Sequence, residues 1–175
     1  MYDNRILHAH EKAKAEDLEC IEQKFQVKIP AAVREHYLAY NGGYPEKPVF
    51  TDKSGNAYIV GWFIPVCGEK KRSVENMLRL LREDEAIPNW LIPFADEDGG
   101  NLFCFSVREE NYGAIYYYDH EFEYGEDPEY HVTYLAESIT IFINSLVEEE
   151  NLNVCSGHIK QMGRYFTERS KRFGT

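Results

Sequence analysis

A run of carboxylates and glycines is the first part of the sequence that could do chemistry. Residues 96–101 read Asp-Glu-Asp-Gly-Gly-Asn, which has the composition of a calcium-binding loop. An EF-hand loop needs an oxygen ligand at its fifth position, glycine at its sixth and glutamate at its twelfth, whereas this run places Gly100, Asn101 and Val107 there. We therefore interpret the run as a hairpin turn between two buried strands.

A second acidic run, residues 119–123, combines three carboxylates with an imidazole in the order Asp-His-Glu-Phe-Glu. Metal sites and acid–base sites use the same residue types. An extended segment sends alternate side chains to opposite faces, so Asp119, Glu121 and Glu123 share one face while His120 points away. This division favours a solvated acidic edge over a catalytic site.

The remaining candidates are weaker. Three adjacent tyrosines, residues 116–118, have the chemistry of a base-stacking platform, but a strand divides them between two faces. His8 and His10 form a possible metal pair on a terminus that we expect to fray. The sequence has no Gly-rich phosphate loop, no nucleophile elbow and no His-Glu-x-x-His motif. It therefore predicts no catalytic residue, no metal ligand and no cofactor.

The distribution of charge predicts the type of partner. The 175 residues include 19 Lys and Arg against 30 Asp and Glu, for a net charge of −11, which disfavours binding to nucleic acid. No Lys or Arg occurs between Arg108 and Lys160, where there are 12 carboxylates. Residues 151–175, in contrast, carry a net charge of +4. We predict one domain over residues 1–150 and a basic, helical C-terminal tail over residues 151–175.

Cysteine spacing and hydropathy predict the cellular compartment. No two of the four cysteines are closer than 37 residues, which excludes the paired spacing of zinc sites and fits a reducing cytoplasm. The first residues lack the apolar stretch of a secretory leader. The longest apolar run, residues 57–67, is too short to cross a bilayer. We expect a cytoplasmic protein without membrane contact.

The elements that must position these residues follow from hydrophobic periodicity. Patterns of 3.6 residues predict helices at 11–25, from Pro30 to about 41, from about 73 to a point before Pro88, and at 135–149. Alternating or continuous apolar runs predict strands at 49–51, 57–64, 90–95, 101–107, 114–119 and 130–134. Trp62 and Trp90 lie in such runs, and we expect both to be largely buried core residues.

Four of these segments, taken in order, resemble a known family. They are residues 29–43 (IPAAVREHYLAYNGG), 92–96 with 100–105 (IPFAD and GNLFCF), 115–121 (IYYYDHE) and 134–146 (YLAESITIFINSL). They are similar to the SUKH superfamily of Smi/Knr-like domains over roughly residues 14–148. The resemblance implies an α+β fold in which a mostly antiparallel sheet of about six strands is flanked by helices.

The resemblance also implies a non-enzymatic function. Most bacterial members of the superfamily resemble immunity proteins that neutralise a cognate polymorphic toxin, often a nuclease, and a minority resemble regulators of cell-wall glucan synthesis. We therefore expect an immunity protein with a basic toxin as partner. The alternatives are a regulatory scaffold of wall synthesis or signalling, and an enzyme that uses residues 119–123.

Carboxylates at turns and strand ends are the expected contacts with a basic partner, with nearby aromatic residues as anchors. We expect Tyr112 and Phe122 to lie beside these acids. The predicted partner-binding residues are Asp96, Asp98, Tyr112, Asp119, Glu121, Phe122 and Glu123.

Overall fold

The computed structural model describes residues 2–66, 72–97, 99–120 and 127–149. Its helices are α1 (Ala15–Phe25), α2 (Ala31–Ala39), α3 (Val74–Glu83) and α4 (Ile139–Asn144). Its strands are β1 (Ile6–Leu7), β2 (Tyr44–Pro45), β3 (Val49–Thr51), β4 (Ala57–Ile59), β5 (Trp62–Phe63), β6 (Leu91–Asp96), β7 (Leu102–Ser106), β8 (Ile115–Tyr118) and β9 (Val132–Ala136). The predicted tail, residues 151–175, lies outside the described residues.

Local sequence signals fix three of the helix starts. Pro30 precedes α2, where the missing N–H of proline costs no intrahelical hydrogen bond. The hydroxyl of Ser73 accepts a hydrogen bond from the backbone N–H of Asn76 at 3.3 Å and caps α3. Ser138 caps α4 in the same way by accepting from the N–H of Ile141 at 3.3 Å.

Five strands form the main sheet in the order β5-β6-β7-β8-β9, and every neighbouring pair is antiparallel. Two smaller sheets, β1-β2 and β3-β4, are also antiparallel. This arrangement confirms the predicted α+β fold with a mostly antiparallel sheet. Within the described ranges, the strands outside the five-stranded sheet belong to these two small sheets.

Aromatic rings fill the space on one face of the main sheet. Phe142 of α4 is fully buried, with its ring centroid 5.1 Å from that of Phe50, 5.9 Å from Phe94 and 5.5 Å from Phe103. The loop after α3 covers the opposite face, where the hydroxyl of Tyr118 donates a hydrogen bond to the carbonyl of Ala86. Both faces of the central strands are therefore buried.

Several element boundaries differ from the predicted ones, among them the start of α1 at Ala15 and the end of α4 at Asn144, and two of the differences have a clear cause. Leu135 and Ala136 belong to β9, because Ala136 pairs with Ile115 of β8, so the last helix begins at Ile139 and not at Leu135. The predicted strand 57–64 is divided between two sheets. The N–H of Val60 donates to Pro48 in the small hairpin, and that of Gly61 donates to Asp96 in the main sheet.

Trp62 and Trp90, which were expected to be largely buried, are each partly exposed, and Trp90 packs against the core. The indole N–H of Trp90 donates to Glu129 at 2.5 Å, and the guanidinium of Arg108 lies 3.6 Å from the centre of a Trp90 ring. The neighbouring side chains of Phe63 and Leu91 fill the core instead. Each tryptophan thus borders the core and keeps one edge in solvent.

Truncation of the central core ring tests this packing. We expect Phe142→Ala to lower the free energy of unfolding by about 3–5 kcal/mol, because three other phenylalanines would line the cavity that it leaves. Ile141→Ala, in the same helix at a side chain that is 51% exposed, is the matched control and should cost less than about 1 kcal/mol. Equal losses in chemical denaturation would contradict the assigned core.

A buried histidine predicts a pH dependence of stability. His36 is 1% exposed, and burial lowers its pKa to about 3. Its folded form therefore stays neutral, whereas the unfolded chain binds a proton below about pH 6.5. We expect His36 to remove about 1.4 kcal/mol of stability per pH unit as pH falls from about 6 towards 3.

Denaturation at several pH values would measure this contribution. We expect the stability of His36→Leu to fall less steeply between pH 6 and pH 4 than that of the unmodified chain. The control is His8→Asn, since His8 is an exposed histidine. Parallel curves for all three proteins would rule out the assigned role of His36.

Candidate partner-binding site

The antiparallel register brings two of the predicted acidic segments to one end of the main sheet. Asp96, the last residue of β6, pairs with Leu102, which pairs in turn with Tyr118, the last residue of β8. The β6-β7 turn and the chain after β8 therefore leave the sheet side by side. We call this region the acidic end and define it by Asp96, Glu97, Asn101, Asp119 and His120.

One asparagine ties the acidic end together. The side-chain oxygen of Asn101 accepts a hydrogen bond from the backbone N–H of His120 at 2.9 Å and lies 2.8 Å from the Nδ1 atom of His120. Its side-chain nitrogen donates to Glu97 at 3.1 Å. Asn101 is itself buried. A single side chain thus fixes the β6-β7 turn against the segment that follows β8.

Two tyrosines hold carboxylates at this end of the molecule. The ring centroids of Tyr58 and Tyr117 lie 4.7 Å apart. The hydroxyl of Tyr58 donates to Asp52 at 3.1 Å, and Tyr117 is hydrogen-bonded to Glu97. Burial raises the pKa of Tyr58 to about 12, with a further contribution from the charge of Asp52. Burial, followed by the charge of Glu97, also raises the pKa of Tyr117.

Asp96 occupies a different environment from the other acids. Its side chain is 7% exposed and lies 3.5 Å from the guanidinium of Arg72, whose own side chain is 72% exposed. Trp62 is its cross-strand partner on β5. Asp96 is therefore a buried carboxylate at the border of the sheet, whereas Glu97 and Asp119 are partly exposed.

The structure places three of the seven predicted partner-binding residues. It brings Asp96 and Asp119 to the same end of the sheet, but it puts Tyr112 at the opposite end, in the connection between β7 and β8. There the hydroxyl of Tyr112 donates to the carbonyl of Lys28 at 3.1 Å. The expectation that Tyr112 lies beside the acids is wrong. Asp98, Glu121, Phe122 and Glu123 lie outside the described residues.

The predicted partner-binding set left out five residues that form or hold these carboxylates, which are Asp52, Tyr58, Glu97, Asn101 and Tyr117. The contact between Asp52 and Tyr58 could have been predicted from the hairpin in which they lie. Thr51 and Ala57 pair across the β3-β4 hairpin, so Asp52 and Tyr58 flank a short turn in which a carboxylate can reach a tyrosine hydroxyl. No comparable local signal links Tyr117 to Glu97, because Tyr117 is on β8 and Glu97 follows β6, and β7 lies between these two strands.

Two other features bear on function. In the part of the chain that the structure describes, no group of three or more His, Cys, Asp or Glu side chains could hold a metal ion. At the opposite end of the sheet, an open cleft of about 750 Å³ lies between α1 and Val107. Its Glu22 accepts from the N–H of Ile29 at 2.9 Å and pairs with Arg34 at 2.7 Å, so this carboxylate links α1 to α2.

Removal of the asparagine that ties the acidic end together tests its structural role. We expect Asn101→Ala to lower the free energy of unfolding by about 1 kcal/mol, because the hydrogen bonds from this buried side chain to Glu97 and His120 are lost. It should also speed hydrogen exchange at the His120 amide. The control is Asn89→Ala at an exposed position, which should leave both quantities unchanged. An unchanged exchange rate at His120 in Asn101→Ala would refute the assigned contact.

Comparison with known proteins identifies the family. The model of the SMI1 / KNR4 family (SUKH-1) matches residues 12–145, which is about three quarters of the chain. A search of curated proteins found no significant match. In the described ranges, no helix is long and apolar enough to cross a membrane. The family match spans the helices, the complete five-stranded sheet and the acidic end, and the chain therefore belongs to the SMI1 / KNR4 family (SUKH-1).

Proposed function

We propose that this protein is a cytoplasmic, non-enzymatic immunity protein that binds and neutralises a basic toxin of the nuclease class. The observation that carries the proposal is the concentration of carboxylates at one end of the sheet in a member of this family. Because residues 151–175 carry +4 of the total charge of −11, residues 1–150 carry −15. A charge of this size attracts a basic partner over a Debye length of about 10 Å.

Nuclease chemistry explains why an acidic inhibitor would work. A nuclease holds its substrate by neutralising backbone phosphates with Lys and Arg, so its active site is surrounded by positive charge. An acidic surface is steered to such a site and covers it. The inhibitor needs no reaction of its own, because occupancy of the substrate groove is sufficient.

The hydrogen bonds at the acidic end support this role. Tyr117 and Asn101 both hold Glu97, and Tyr58 holds Asp52, so these carboxylates lose little freedom on association. Pre-organised groups bind with a smaller entropic cost than freely rotating ones. Asp119 adds negative charge at the same place. Its charge contributes to the raised pKa of Tyr117, although burial and the charge of Glu97 contribute more.

The other predicted contacts extend this surface along the chain. We propose that Asp98 adds a carboxylate to the β6-β7 turn, and that Glu121 and Glu123 continue the charge after Asp119 with Phe122 as an aromatic anchor. Tyr112 would belong to a separate contact, because it is at the opposite end of the sheet.

Charge removal at the acidic end tests the proposal. The probe is a toxin domain encoded beside this chain, tested first by co-expression and then by stopped-flow binding. We expect the double variant Glu97→Gln, Asp119→Asn to slow association by about tenfold at low salt and to flatten its salt dependence, since charges outside the buried core of an interface act mainly on the on-rate. Both side chains are only partly buried.

The matched control removes the same charge elsewhere. Glu109→Gln, Glu110→Gln changes two exposed carboxylates in the connection between β7 and β8, at the opposite end of the sheet, and should leave the association rate nearly unchanged. Equal effects of the two double variants would place the interface elsewhere. Cell death despite abundant soluble protein, with no complex on size-exclusion chromatography, would reject the immunity function and favour a regulatory one.

A further inference from the structure

The two borders of the main sheet differ in how their outer edges are used. β5 forms one border, where the N–H of Phe63 donates to the carbonyl of Gly43 at 2.7 Å, so this edge is occupied. β9 forms the other border, and in the described ranges no strand pairs with its outer edge. An uncovered sheet edge is a template on which another extended chain can add.

The alternation of hydrogen bonds shows which groups of β9 point outward. The N–H of Asp119 donates to the carbonyl of His131 at 3.0 Å, and Tyr117 pairs with Thr133 two positions further along. Every second pair of an antiparallel ladder is hydrogen-bonded, so Thr133 bonds inward to β8. Tyr134, the next residue, directs its N–H and carbonyl groups away from β8. Among the described residues, neither of these two groups has a hydrogen-bond partner.

Solvent reaches β9 but not the strand beside it. Tyr116 and Tyr117 of β8 are 8% and 9% exposed, whereas their partners on β9, Tyr134 and Thr133, are exposed. β9 contains no charged residue and no proline, which commonly prevent the addition of a strand. The extra residue Leu135 is a bulge that interrupts the pairing after Tyr134. The stretch that ends at Tyr134 is therefore suited to pairing.

A row of side chains supports the ring of Tyr134. The guanidinium of Arg108 lies 3.6 Å from the centre of a Trp90 ring, and the Trp90 and Tyr116 ring centroids are 5.1 Å apart. The Tyr116 and Tyr134 centroids are 5.6 Å apart, at an interplanar angle of 78°. Tyr134 nevertheless remains 47% exposed. A supported, partly exposed aromatic ring is a typical interface anchor, and its face attracts a cation.

The charges around β9 favour a basic occupant. Glu129 precedes the strand and Glu137 follows it, and both are exposed. Burial, followed by the charge of Glu137, raises the pKa of Tyr134, so this carboxylate acts on the tyrosine hydroxyl. A second copy of β9 in antiparallel pairing brings the Glu129 end of one strand towards the Glu137 end of the other, which like charges disfavour. A basic segment meets attraction at both ends instead.

We propose that the outer edge of β9 takes up an extended, basic segment of the protein partner as a sixth strand of the main sheet. The inference rests on the proposed function, because it assigns a contact of the same complex. Main-chain hydrogen bonds to Tyr134 supply affinity, and a Lys or Arg of the segment lies against the Tyr134 ring. Val132, the first residue of β9, pairs with Tyr118, so the added strand starts beside the acidic end.

A peptide tests the edge without the toxin. The probe is an acetylated and amidated peptide of alternating lysine and valine, about six residues long. Its control has the same sequence with methylated backbone nitrogens, which keeps the charge but removes the hydrogen-bond donors. At saturation, we expect the probe to slow amide hydrogen exchange at Tyr134 by about fivefold or more and to leave Thr133, which bonds inward, nearly unchanged. The control peptide should affect neither amide.

Two substitutions of Tyr134 separate the backbone from the ring. Tyr134→Pro removes the outward N–H, and an edge strand tolerates proline at a position whose N–H faces solvent. It should weaken peptide binding by about tenfold or more. Tyr134→Thr keeps the N–H and removes the ring, and should weaken binding by about threefold. If Tyr134→Pro does not fold, the exchange experiment on the unmodified chain decides the question.

Several results would overturn the proposal. Equal responses to the probe and its methylated control would reduce the contact to non-specific charge attraction. Unchanged exchange at Tyr134 would exclude strand addition. Slow exchange at Tyr134 in the free chain would show that the edge is already paired, and a dependence on protein concentration would identify a second copy as the occupant.

Hydrogen exchange in the toxin complex separates this proposal from the immunity function. A complex in which Tyr134 stays unprotected rejects the contact at β9 and leaves the immunity function intact. Specific peptide binding at Tyr134 without any toxin complex rejects the immunity function and leaves strand addition at β9 supported.

Discussion

The packing of Phe142 connects parts of the chain that are far apart in sequence. Its ring contacts Phe50 of the small hairpin and Phe94 and Phe103 of the central strands, so α4 and β3 are fixed on the same face of the sheet. A backbone bridge between Val49 and Val147 joins the hairpin to the chain after α4. These contacts are long-range in sequence, so they hold α4, the β3-β4 hairpin and the central strands in one packed core.

Both faces of the central strands are buried, so the polar side chains that can reach solvent lie at the ends of the strands. Tyr58 and Tyr117 illustrate the transition, since their rings pack together while their hydroxyl groups reach Asp52 and Glu97. Buried tyrosines need a partner for the hydroxyl group, and a carboxylate at the rim provides one. The aromatic richness of the chain and its acidic surface are therefore connected, because the core residues themselves position the charged ones.

The sequence predicted what local rules control. Ser73 caps α3 at the predicted start of that helix, and most strands were found within a few residues, whereas the predicted start of the last helix missed its cap at Ser138. The division between β4 and β5 could not be predicted, because it depends on tertiary hydrogen bonds. The backbone N–H of Val60 donates to Pro48 in the small hairpin, and that of Gly61 donates to Asp96 in the main sheet.

The placement of the site followed the same rule. Tyr112 is only seven residues from Asp119 in sequence, but β8 lies between them and carries them to opposite ends of the sheet.

Alternation of side chains along β6 and its turn gives the adjacent carboxylates of Asp96 and Glu97 different properties. Glu97 contacts Tyr117 on the aromatic face and keeps partial access to water, where its charge can act at a distance. Asp96 lies on the other face, next to Trp62, where its charge acts only at contact. Charges that act at a distance affect how fast partners meet, whereas desolvated ones affect how long they stay together. The two carboxylates differ in exposure within one turn of the chain, because consecutive residues of β6 and its turn point to opposite faces of the sheet.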